Sequence, residues 1–84
     1  MALRFVGIDP NTGLEHCPTV WADEEAGELV LQGWKAGSAL RATCEASSPA
    51  KGSIPDSEGI IRIPARMVPM IREASDAVER SAIQ

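Results

Sequence analysis

The stretch of residues 17 to 36, CPTVWADEEAGELVLQGWKA, constrains the fold of this chain more than any other. Two runs rich in β-formers, Thr19 to Asp23 and Glu28 to Lys35, flank the turn EEAG, in which Gly27 can supply the positive φ that a short hairpin loop needs. If Asp23 faces Glu28, an antiparallel register pairs Val20 with Leu31 and Ala22 with Leu29 on one face. The same register pairs Trp21 with Val30, Thr19 with Gln32 and Cys17 with Trp34 on the other. Both faces then carry large apolar groups, so neither is simply the wet side of a half-buried sheet. Gly33, inside the second run, is a candidate bulge.

A hairpin cannot stand alone in water, so the remaining sequence must cover it. GIIRIP offers a third strand over residues 60–63, with Ile61 and Ile63 on one side, ended by Pro64, which has no N–H to donate. LRFVGID, residues 3–9, is a candidate fourth strand at an edge. From Pro64 onwards Met67, Ile71, Ala74 and Val78 recur at helical spacing, with Arg72, Glu73, Asp76, Glu79 and Arg80 on the opposite side. This predicts either a helix over about 65–81 kinked at Pro69, or a turn followed by a helix from 69. The expected architecture is α+β: a small antiparallel sheet of three strands, or four with the edge, built from a hairpin at 18–35 and the strand at 60–63. One C-terminal helix crosses it through Met67, Ile71 and Val78, leaving the other sheet face for a partner or a second copy.

At 84 residues the chain is one domain, near the size at which a single core is marginal. With no Tyr and one Phe, that core must be aliphatic, with Trp21 and Trp34 its largest pieces. Residues 36–59, dense in Ala, Ser, Gly and Pro, read as a mobile connection with room for a brief helix at 38–44 capped by Ser38. The net charge of −4 repels phosphate backbones and argues against direct nucleic-acid binding. No membrane span or export signal is evident, which makes the cytoplasm the expected compartment and thiols the expected state of Cys17 and Cys44.

Residues with chemical potential cluster ahead of the hairpin in DPNTGLEHC. Asp9, Asn11 and Gly13 echo the start of a calcium loop, but Gly13, Leu14 and Val20 stand where its fifth, sixth and twelfth positions need an acid or amide, a glycine and a glutamate. Turn chemistry explains the residues better. His16, Cys17 and Cys44 are one ligand short of a structural zinc site and lack its spacing, and no cofactor is indicated. His16, as the chain neighbour of Cys17, points to the opposite side in an extended segment, so it is badly placed to activate that thiol. No catalytic constellation, phosphate loop or dinucleotide fingerprint is present, and the chain reads as a non-enzyme. A thiol- or metal-dependent protein using His16, Cys17 and Cys44 is the alternative, distinguished by metal analysis and thiol titration. The expected partner-binding residues are Trp21 and Trp34 with Val30, Gln32 and Thr19, because tryptophan is the residue most enriched in interface hot spots.

CPTVWADEEAGELVLQGW, followed after a gap by IPDSEGIIRIPARMVPMIREA, resembles a family of short, uncharacterised actinomycete proteins over residues 7–35 and 54–74. Members of that family are often encoded beside phage-repressor-like helix-turn-helix regulators. The resemblance implies a regulatory accessory that works through protein contact with such a regulator, or an antitoxin-like partner of it. The hairpin with apolar residues on both faces adds the expectation of a homodimer through the Trp-bearing sheet face.

Overall fold

The computed structural model describes residues 3–11, 17–50 and 52–83. It is an α+β fold made of a three-stranded antiparallel sheet, a second sheet of two strands, and a C-terminal helix packed on the first sheet. Strands β1 (Leu3–Ile8), β2 (Thr19–Asp23) and β3 (Glu28–Gln32) lie in that order. The hairpin register is the one the sequence predicts, with Thr19 opposite Gln32, Val20 opposite Leu31, Trp21 opposite Val30, Ala22 opposite Leu29 and Asp23 opposite Glu28. Its loop is closed by the Gly27 N–H donating to the Asp23 carbonyl at 2.9 Å, with Gly27 at φ 72°. The Asp23 carboxylate helps by accepting the Ala26 N–H at 2.9 Å.

The edge segment LRFVGID becomes a full strand, β1, beside β2. Its register slips between Phe5 and Gly7, so Val6 is an inserted residue. A bulge lets neighbouring residues turn towards the same side of a sheet. Here Val6 packs against the core, and a Cβ on Gly7 would overlap the Met70 sulfur of the covering helix.

Two expected pairings change. Cys17 does not face Trp34: after Gly33 the chain leaves the first sheet, and Trp34–Lys35 form β4, with Trp34 opposite Arg62 and Lys35 opposite Ile61 in β5 (Ile61–Arg62). The strand expected at 60–63 therefore belongs to its own two-stranded sheet rather than to the hairpin's. Gly33 supplies the reason, since only its missing side chain allows the Arg62 carbonyl to approach this closely. The bulge foreseen at Gly33 is a crossing between sheets.

The stretch 36–59 holds helix α1, Ser38–Ser47, which is longer than the expected 38–44. Ala39, Ala42 and Ala46 bury little, but alanine is also the best helix former, and that second property prevails. Gly37, not Ser38, occupies the N-cap position, and Ser38 is the first helical residue. The Ser48 N–H closes the far end on the Cys44 carbonyl.

A 3₁₀ turn, Ala65–Met67, precedes helix α2, Val68–Ile83. This is the second of the two predicted forms: Pro69 sits in the first turn, where its missing N–H has no intrahelical partner to lose. The core is the buried set Val20, Ala22, Met67, Ala74 and Ala77, against which Val6, Ile63, Met70, Ile71 and Val78 pack. The α2 stripe thus meets the Val20 and Ala22 side of the sheet, and Ala77 joins the four residues whose spacing predicts it. No helix among the described residues is long and apolar enough to cross a membrane.

Candidate functional site

Because side chains alternate along a strand, burial of Val20 and Ala22 beneath α2 sends Trp21 to the outer side of the sheet. The registers line up Phe5, Trp21 and Val30 in one row across all three strands. Leu3, Asp23 and Glu28 form the row on one side of it, and Ile8, Thr19 and Gln32 the row on the other. Phe5 is 58% exposed and Leu3 is exposed, whereas Trp21 and Val30 are half-buried. The result is an apolar row on the face that α2 leaves uncovered, richest in exposed surface at β1.

Four of the five residues expected to bind a partner, Thr19, Trp21, Val30 and Gln32, therefore share one face. Their availability differs. Thr19 is buried, and its hydroxyl donates to the Cys17 carbonyl at 2.9 Å. The Gln32 amide Nε2 donates to the same carbonyl at 2.8 Å, although the residue as a whole is exposed. These two polar groups fasten the entry to β2 at the end of the hairpin. Trp34 stands apart on β4, 36% exposed, with the Arg62 guanidinium 5.8 Å from its ring centroid, a cation–π distance. Phe5 and Leu3 are the members that the sequence reading missed. The alternation of Leu3, Phe5 and then Gly7 was the available signal, and the bulge after Phe5 obscured it.

The polar cluster ahead of the hairpin resolves into a structural joint. The Asp9 carboxylate is buried and accepts the Asn11 N–H at 3.1 Å, the turn that Asp-Pro-Asn predicts. It also accepts from Arg66 at both oxygens, Nε at 2.6 Å and Nη2 at 2.7 Å. This fork ties the end of β1 to the turn that starts α2. The hydrogen bond from Arg66 to Asp9 holds the guanidinium pKa above its already high ordinary value, desolvation opposes that rise, and the Asp9 charge adds to it. Gly13 and His16 lie outside the described residues. Cys17 is buried at the entry to β2 and Cys44 is half-buried in α1, with no disulfide between them. Among the described residues, no group of three or more His, Cys, Asp and Glu side chains could hold a metal ion.

A hollow of about 420 Å³ lies between the end of α1 and the segment after it, lined in part by Cys44, Glu45, Ile54 and Glu58. Its Glu45 carboxylate is engaged by the Ile54 N–H at 2.7 Å, so this charge serves the loop. Comparison with protein-family models, with curated proteins and with solved structures finds no match for this chain.

Proposed function

We propose that the chain is a non-enzymatic interaction module, a regulatory accessory or antitoxin-like partner of a helix-turn-helix transcription regulator, that acts through the outer face of its three-stranded sheet. The observation that carries this reading is the Phe5–Trp21–Val30 row, apolar across three strands on the face that α2 does not cover. A contiguous apolar row of this kind, exposed at Phe5 and half-buried at Trp21 and Val30, is a common mark of a protein contact. The regulator as partner comes from the resemblance of residues 7–35 and 54–74, and the acidic chain suits a protein ligand better than a nucleic acid.

The test is a fluorescence titration of the purified chain with the co-encoded regulator, following Trp21 in a Trp34→Phe background. Binding is expected to shift the emission to the blue, and Phe5→Lys to weaken affinity about tenfold or more, as for a contact near a hot spot. Saturation with no change in emission and no effect of Phe5→Lys would remove the outer face as the binding surface.

A further inference from the structure

We infer that the outer edge of β3 is a self-pairing edge, on which a second copy of this chain adds its own β3 antiparallel, about a two-fold axis through Val30, to make a continuous six-stranded sheet.

The two edges of the sheet are built differently. Sheet proteins protect edges with charges, prolines or bulges, because an exposed strand templates pairing with another chain. β1 has such protection: Arg4, held by Glu24 at 2.9 Å, and the bulge at Val6. β3 reads ELVLQ, with no Pro, no Lys and an unbroken register, and among the described residues it pairs only with β2. Beside that open edge, Leu29 and Leu31 are 40% and 37% exposed, on the side of the sheet that α2 covers over β2.

The strand is also self-complementary. With Val30 on the two-fold axis, Leu29 of each copy stands opposite Leu31 of the other, so four half-exposed leucines cover one another on one face. On the opposite face, Val30 meets Val30, and the Phe5–Trp21–Val30 row of one copy runs directly into that of the other. Charge favours the same alignment. Each Glu28 faces a neutral Gln32, and the two Glu28 residues lie about 14 Å apart, four strand residues, which exceeds the screening length of roughly 8 Å at physiological salt. A slip that brought the two Glu28 side chains opposite each other would shift the pairing by four residues and leave Leu29 and Leu31 facing turn residues 27 and 25, outside the strand. The strand has five residues, so the seam is smaller than a standard interface and a dimer dissociating on the order of micromolar is expected.

This inference rests on the reading of the chain as an interaction module but is measured on the protein alone, so a regulator that fails to bind leaves it standing, and the reverse also holds. Sedimentation velocity over a concentration series is expected to give a monomer–dimer equilibrium, with Leu31→Lys raising the dissociation constant tenfold or more. The doubly substituted Leu29→Lys, Leu31→Lys and Leu29→Glu, Leu31→Glu proteins are each expected to be monomeric, and their mixture to form a heterodimer, because pairing along β3 sets the Lys side chains of one copy against the Glu side chains of the other. Circular dichroism checks that each variant is folded. In the unaltered protein, dilution through the transition is expected to raise hydrogen exchange within Glu28–Gln32 and leave β1 unchanged. The inference is overturned if the chain stays monomeric at about 1 mM, if folded charge-swapped partners do not associate, if exchange in β3 ignores dilution, or if Phe5→Lys and not Leu31→Lys abolishes the dimer.

Discussion

Gly33 carries the chain out of one sheet and into the other. A Cβ at this position would lie 2.5 Å from the Arg62 carbonyl oxygen and 3.0 Å from Ile63 Cγ1. The first of these is backbone in a paired strand, which cannot swing aside as a flexible side chain can. Gly33→Ala is therefore expected to destabilise the fold by about 2 kcal/mol, a typical overpacking cost, read as a lower urea midpoint. Gly7→Ala meets Met70 instead, a side chain with freedom to rotate, and a smaller loss is expected. Asp9 is the other residue whose neighbours decide its role. Asp9→Asn keeps the shape but removes the charge and puts an NH2 donor where one of the two oxygens accepts from Arg66, so one bond is lost and the other weakened, and a loss of about 2 kcal/mol is expected from thermal melts. The Arg66 pKa is raised in the folded state, so the stability that its charge contributes is complete below the ordinary arginine pKa and lost only as pH climbs through the higher folded value. No alkaline loss traceable to Arg66 is therefore expected anywhere near neutrality. A melting temperature that fell between about pH 7 and pH 10 in the wild type but not in Arg66→Met would contradict this.

At the scale of elements, the hairpin and α1 illustrate two degrees of attachment. β2 is buried at Thr19, Val20, Ala22 and Asp23, whereas α1 has no buried residue. What binds α1 to its neighbours is polar: Arg41 Nη2 donates to the Ile54 carbonyl at 3.0 Å, and the Ile54 N–H donates to Glu45 at 2.7 Å. Few buried apolar contacts mean low local stability. Amides of α1 are expected to exchange faster than those of β2 and of the middle of α2. Glu45→Ala is expected to speed proteolysis within residues 48–58 while changing global stability by less than about 0.5 kcal/mol. Equal exchange rates in α1 and β2 would show that something other than these polar ties secures the helix.

At the scale of the molecule, the central fact is a small core. Val20, Ala22, Met67, Ala74 and Ala77 are fully buried, and three of the five are alanines. A chain of this length has a stability of roughly 4–12 kcal/mol, so Met67→Ala, at about 3 kcal/mol, is expected to remove a large share of it. Urea unfolding followed by far-ultraviolet circular dichroism checks that expectation. Pairing of a second copy along β3 would enlarge a marginal fold, and melting temperatures are then expected to rise with protein concentration.

The hairpin register, the inner and outer alternation of its residues and the α2 stripe were legible in the sequence because each depends on local periodicity and on one turn glycine, Gly27. The same periodicity put Trp21, Val30, Thr19 and Gln32 on one face. Tertiary structure decided the rest. Trp34 left that face because Gly33 fits only against the Arg62 backbone, a contact between residues far apart in the chain. Asp9 found Arg66, 57 residues away, and so became a joint between β1 and α2 as well as a turn. Phe5 joined Trp21 only once β1 paired with β2 and the bulge at Val6 set its side. Sequence periodicity determines which way a side chain points within its own element; which element lies opposite depends on long-range packing, and that has no local signature.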